Sequence, residues 1–140
     1  MKIYDAENQI LGRMCTYVAK DLLKGENIAI INAEKVVLAG NIKKKIEHYS
    51  IRVKRGDPFK GPFFPRYPDD ILRRTVRGML PWKQATGRSA FRKLKVFTGV
   101  PEEYKKLQAE KIKSADASKL TTTYVTLGEL SVNLGAKKRW

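Results

Sequence analysis

Apolar positions change their period several times along the chain, and each change predicts an element. Residues 2–6 (KIYDA) alternate and predict a strand. Leu11, Met14, Cys15, Val18, Ala19 and Leu22 then fall at helical spacing, with Arg13, Lys20, Asp21 and Lys24 off that stripe. Asn8 is the expected cap of this helix and Gly25 its expected stop. Cys15 lies on the apolar stripe and reads as a small core residue rather than a reactive thiol. The run NIAIINA (27–33) is apolar on both faces, as an internal strand of a parallel sheet must be. Strand, helix and buried strand make a βαβ unit, and KVVLAG (35–40) adds a short extended piece.

Residues 41–54 predict a second helix, capped by Asn41. Ile42, Ile46, Tyr49 and Val53 line one side, and Lys43, Lys44, Lys45, Arg52 and Lys54 decorate the others. The stretch 53–70 (VKRGDPFKGPFFPRYPDD) follows no period. It holds four of the six prolines and three phenylalanines. Asp69 and Asp70 then suit a helix start, and Leu72, Val76, Met79 and Leu80 form its apolar stripe, with Ile71 and Thr75 beside it. Arg73, Arg74 and Arg77 share the far side, and Gly78 and Pro81 end the helix. A short helix is expected within 83–94, broken or begun near Gly87, then a strand over 95–100. Pro101, Glu102 and Glu103 predict a helix start over 101–113. Residues 121–126 read as extended. Thr126 and Glu129 form a capping box for a last helix that carries Leu127, Leu130 and Leu134 and stops at Gly135.

The alternation predicts an α/β layer fold with a small, mainly parallel sheet, of which three or four strands are visible. One domain over 1–140 is expected, with an extension at about 52–68 and a C-terminal strand-helix appendage at about 114–140. No apolar run is long enough to span a bilayer, and the N-terminal residues lack a secretory signal, so a membrane partner is not expected. A single cysteine forbids an intrachain disulfide and fits a reducing interior, with no hint of secretion.

Charge changes the picture most. The formal net charge is +15, and it is not spread evenly. Residues 1–40 are neutral overall, residues 41–95 carry sixteen basic and four acidic side chains for a net of +12, and residues 96–140 carry +3. A surface charged merely for solubility would not be so lopsided; a face that meets a polyanion would be.

Catalytic readings fare poorly. Glu34 stands 22 residues after Gly12, near where the ribose-binding acid of a dinucleotide site belongs. The turn before the first helix has one glycine where that fingerprint needs three, so the backbone could not approach a pyrophosphate. One Cys and one His cannot close a zinc site. His48 has no orienting partner for base catalysis, and Asp69–Asp70 and Glu102–Glu103 are explained by helix starts. No cofactor, metal or small-molecule substrate is expected, and no obligate homo-oligomer.

Nucleic acid fits the residues. Arg73, Arg74 and Arg77 form a helix patch, continued by Lys83, Arg88, Arg92, Lys93 and Lys95. Lys43, Lys44 and Lys45 precede it, and Arg52, Lys54, Arg55, Lys60 and Arg66 lie in or beside the proline stretch. Such side chains neutralise phosphates and release counterions. Phe63 and Phe64 would either stack on bases or plug the protein's own surface. Two rivals remain: a DNA-binding helix-turn-helix around MLPWKQ, which lacks a clear set of base-reading side chains, and an RNA-modifying enzyme, which lacks a cofactor loop.

The segment RRTVRGMLPWKQATGRSAFRKLKVFTGVP (73–101) resembles the signature of the thirteenth protein of the large ribosomal subunit, the universal L-thirteen family. INAEKVVLAGN (31–41) is similar to its second strand and turn, and ILGRMCTYVAKDLLKG to its first helix. GPFFPRYPDDI and YVTLGELSVNLGAKKRW are similar to the archaeal and eukaryotic branch. The resemblance implies a small three-layer α/β/α domain with a mainly parallel sheet of about four strands, nucleotide-binding-like in topology without the nucleotide motif, acting as a non-enzymatic structural constituent of the large ribosomal subunit. It also implies contact with large-subunit rRNA and neighbouring ribosomal proteins, a role in assembly, and a cytoplasmic location in the ribosome. Arg77, Arg88, Arg92, Lys93 and Lys95 fall in or beside its best-matched segment.

Overall fold

A computed structural model describes all residues, 1–140. Three parallel strands form the central sheet in the order β1 (Lys2–Asp5), β2 (Ile28–Ile31), β4 (Leu94–Val96). Ile3 stands opposite Ala29, and Ile30 opposite Val96. The central strand is buried along its whole length, as its unbroken apolar run requires. Its side chains alternate: Ile28 and Ile30 enter the main core, while Ala29 and Ile31 enter a small second cluster with Ile3 and Tyr104.

The main core lies under helices. α1 (Leu11–Leu23) buries the six residues of its apolar stripe and packs on α3 (Pro68–Met79) and α4 (Ala85–Arg92). α3 buries Ile71, Leu72 and Val76, each contributing roughly 1.5–3 kcal/mol on leaving water. α2 (Ile42–Lys54) buries no residue completely and lays Ile46, Tyr49 and Val53 against the core edge. A separate antiparallel pair, β3 (Val37–Ala39) with β5 (Tyr124–Thr126), leads into α5 (Leu127–Asn133). Leu127, Leu130 and Leu134 join the same core as α1 and α3. The architecture is thus a small α/β domain whose main sheet has three strands, with the fourth expected extended piece diverted into the antiparallel pair.

Local signals explain several ends. Gly25, at φ +97°, closes α1: its N–H donates to the Leu22 carbonyl, and the Glu26 N–H to that of Asp21. Asn41 caps α2 by accepting from the Lys44 N–H, and the Thr126–Glu129 capping box forms at α5.

Four expectations are corrected. Asn8 does not cap α1, which starts after Ile10 with no side-chain cap. The Asn8 N–H is bonded to the Lys35 carbonyl and that of Ile10 to the Ala115 carbonyl, which holds this turn out of helical conformation. Residues 101–113 form no α-helix, holding only the 3-10 turn Glu102–Tyr104 and the start of another at Lys113–Ala115. There the Glu110 N–H donates to the Ile3 carbonyl and the Asp5 N–H to that of Glu110, so tertiary bonding along the edge of β1 overrides helix propensity. This irregular segment, with Tyr104 buried, covers the second face of the sheet where a helical layer was expected. Met79 leaves the predicted apolar stripe and is exposed at the end of α3. Finally, β4 spans Leu94–Val96, earlier and shorter than 95–100, because Phe97 and Gly99 turn to bond the segment after β2.

Candidate nucleic-acid interface

α3 sets the geometry. Because Ile71, Leu72 and Val76 are held inward, Arg73, Arg74 and Arg77 project from the other side. Each guanidinium lies over an aromatic ring: Arg73 is 4.9 Å from the centroid of Phe91, Arg74 is 4.9 Å from Phe64, and Arg77 is 5.2 Å from Trp82. Arg52 of α2 adds itself at 5.9 Å from Phe64 and 5.7 Å from Tyr49. The rings also meet one another edge-on, Tyr49 with Phe64 at 5.9 Å and Trp82 with Phe91 at 5.2 Å. Each exposed cation–π contact stabilises by only about 0.5–1 kcal/mol. Its larger effect is orientation: the guanidinium plane is held while its N–H edges stay free for an anion.

No carboxylate lies within ion-pair distance of these guanidinium groups, although Asp70 stands nearby. The ion pairs of the fold are Lys2–Asp21, Lys24–Asp21, Lys35–Glu7, Lys111–Asp5 and Lys111–Glu7, all outside residues 41–95. Asp57 is exposed but engaged locally, accepting the Phe59 N–H at 2.8 Å in the hairpin that joins α2 to α3. Asp57 and Gly61 exchange both backbone hydrogen bonds there, which leaves Phe59 (91% exposed) and Phe63 (69% exposed) outside.

The structure gathers part of the predicted set into clefts. Arg52, Arg55 and Arg74 line one of about 240 Å³ with Pro62 and Phe64. Arg73, Arg74 and Arg77 line a second of about 240 Å³ with Pro65, Asp70 and Phe91. Arg92, Lys93 and Lys95 surround a third, near the N-terminal end of β2. Lys43, Lys44, Lys54, Lys60, Arg66, Lys83 and Arg88 are exposed and line none of these three clefts; Lys45 is half-buried. Two members stand apart from the α3 face. The Lys93 ammonium donates to the Gly25 carbonyl at 2.9 Å, just past the end of α1, where positive charge stabilises the helix. Lys95 alternates with Leu94 and Val96 and so points from the opposite face of the sheet. Phe64 is half-buried between Arg52 and Arg74 and against Tyr49, so it packs on the protein; Phe63 has no such neighbours.

Sequence reasoning missed the platforms Tyr49, Trp82 and Phe91, and a further stack, Arg139 at 4.2 Å from Tyr67. No sequence spacing links Arg73 to Phe91 or Arg139 to Tyr67, so only the tertiary arrangement reveals them.

The rejected chemistries have structural counterparts. Gly12 sits inside α1 with open space around it, and the buried Glu34 carboxylate accepts the Gly99 N–H at 2.9 Å, a loop-fixing bond. Burial pushes the Cys15 thiol up to about 12, keeping it protonated. A cleft of about 520 Å³ lies elsewhere, where Trp140 closes over Gly128 beside Glu34; its charges are mixed, and the arginines on α3 have no part in it.

Residues 1–103 match the family model described as ribosomal protein L13. The chain is similar to proteins named large ribosomal subunit protein uL13. It is 50% identical to that of Methanopyrus kandleri over 136 residues, covering 95% of this chain and 86% of the relative. It is also 50% identical to that of Methanocaldococcus jannaschii over 142 residues, covering 98% and 99%. The protein of Methanosarcina barkeri is 46% identical, again covering 98% and 99%.

Proposed function

The chain belongs to the ribosomal protein L13 family, and from that premise we propose that it is a non-catalytic structural constituent of the large ribosomal subunit. In this role it binds large-subunit rRNA and organises it during assembly and in the mature particle, beside neighbouring ribosomal proteins. The observation that carries the reading is the set of arginines on α2 and α3 that lie on aromatic rings and are held in no ion pair. Elsewhere in the fold, exposed lysines do find carboxylates. An arginine face left uncompensated within a +12 segment is electrostatically suited to a polyanion. Lys54, Lys60 and Arg66 extend its reach along the α2–α3 hairpin, where Lys60 and Phe63 are exposed.

Sedimentation tests this directly. In a cell extract at low salt the protein should travel with large subunits; a protein found free of them defeats the reading. In vitro, changing Arg73, Arg74 and Arg77 together to Gln should weaken binding to deproteinised large-subunit rRNA and lower the salt slope by about three. The far-UV circular dichroism should stay unchanged, because the buried face of α3 is untouched.

A further inference from the structure

The two α3 clefts share a wall. Arg74 lines both, so two groups of three arginines, Arg52–Arg55–Arg74 and Arg73–Arg74–Arg77, stand side by side with one member in common. We propose that these are two adjacent phosphate cups that seat neighbouring phosphates of a single RNA strand, with Arg74 contacting both. The inference rests on the ribosomal reading above and adds to it a specific ligand geometry.

Three features support it. First, the cups are walled by rigid groups. Pro62 and Phe64 back the first, Pro65 and Phe91 the second, and the ring contacts hold the guanidinium planes of Arg52, Arg73 and Arg74. A planar fork held in place grips phosphate oxygens in pairs, which a lysine cannot do. Second, Phe64 has Arg74 at 4.9 Å and Arg52 at 5.9 Å, so it positions cations rather than offering a free face to a base. Phosphate, not a flipped base, is therefore the matching chemistry for the first cup. Third, the cups are unequal. The first contains no acid, whereas Asp70 lines the second among its arginines. Its carboxyl is pushed up by burial and by Asp69, and pulled down by Arg73. The first cup is accordingly the stronger of the two.

Filter binding of the full-length protein to deproteinised large-subunit rRNA, over a range of salt concentrations, tests the arrangement. R55Q and R77Q each touch one cup and should combine additively, within about twofold. R74Q should lose about tenfold by itself and be non-additive with both. R74K should restore the salt slope but remain about fivefold weaker, because the ammonium lacks the fork. D70N should bind about threefold more tightly, since a like charge leaves the second cup. Replacing chloride by inorganic phosphate at constant ionic strength should change wild-type affinity by no more than about twofold; a larger loss would show a preference for free phosphate and overturn the strand assignment. Thermal melts confirm that each variant is folded. If wild type binds rRNA while R74Q binds equally well, or R74Q is additive with both partners, the shared cup is wrong and the ribosomal reading survives. If wild type does not bind rRNA, both fall together.

Discussion

Gly87→Ala should destabilise this protein, against the usual rule for a helix. Gly87 lies in the first turn of α4, buried, and a Cβ placed on it falls 2.2 Å from the Pro81 carbonyl oxygen and 2.5 Å from the carbonyl carbon. Ordinary carbon–oxygen contacts are about 3.3 Å or longer, so the overlap is roughly 1 Å. The colliding atoms are backbone and cannot rotate aside, so α4 would have to part from the turn that follows α3. Exchanging Gly for Ala inside a helix normally gains about 1 kcal/mol. Overpacking costs roughly 1–3 kcal/mol and occasionally more, and an overlap this deep with rigid backbone belongs in the upper part of that range, about 2–3 kcal/mol, leaving a net loss of about 1–2 kcal/mol. Gly12 in α1 and Gly78 in α3 supply the internal control, because nothing lies within 4 Å of a Cβ at either position. Gly12→Ala and Gly78→Ala should each stabilise by about 0.5–1 kcal/mol. Urea titrations followed by circular dichroism would show the midpoint moving down for Gly87→Ala and up for the other two, at constant m. Melting points should fall for Gly87→Ala by about 3–6 °C. The same junction carries Trp82 and Phe91, so RNA affinity should fall with stability. A Gly87→Ala protein as stable as wild type, or a Gly78→Ala protein equally weakened, refutes the reasoning.

Two other perturbations probe the body of the fold. The Tyr4 hydroxyl donates to Asp21 at 2.6 Å, and Lys24 and Lys2 pair with the same carboxylate at 3.2 and 3.3 Å. These contacts, the hydroxyl first, hold the Asp21 carboxyl below its ordinary range. A depressed folded value contributes stability that is present above the unfolded value, near 3.9, and lost as pH falls through the folded one. Asp21→Asn should therefore cost about 1–2 kcal/mol at neutral pH and almost nothing near pH 2; an equal loss at both, seen in denaturant titrations, counts against the linkage. Thr126→Ala removes one half of the capping box on α5 and should cost about 1 kcal/mol, read as faster amide exchange at Leu127–Glu129; unchanged exchange would show that the leucines alone hold the helix.

Much of the fold was legible because its cause is local. The stripe of α1, the buried run of β2, the stripe of α3 and the capping box of α5 depend on residues within a turn or two of each other. The failures share the opposite cause. Asn8 has the chemistry of a cap, yet its own N–H is taken by the Lys35 carbonyl and those of Gln9 and Ile10 by the carbonyls of Ala6 and Ala115. Residues 105–113 have a helical composition, yet their backbone is bonded to β1, and Lys111 is drawn to Asp5 and Glu7. The site divides in the same way. Charge partition picked out 41–95, and helix phase placed Arg73, Arg74 and Arg77 together. Neither could show that Lys93 sits at the Gly25 carbonyl or that Lys95 leaves by the other face of the sheet.

By itself the sequence determined the class of the fold, the register of apolar faces and the sign and location of the excess charge, because periodicity and composition act over short distances. It also determined which family the chain resembles, through the block from Arg73 to Pro101. Only the tertiary structure decided which aromatic ring lies under which arginine, and that Phe64 belongs to the protein's surface while Phe63 stays outside. Those outcomes depend on where α2, the hairpin, α3 and α4 meet. That meeting is set by the summed packing of a core drawn from both ends of the chain, which no local pattern encodes.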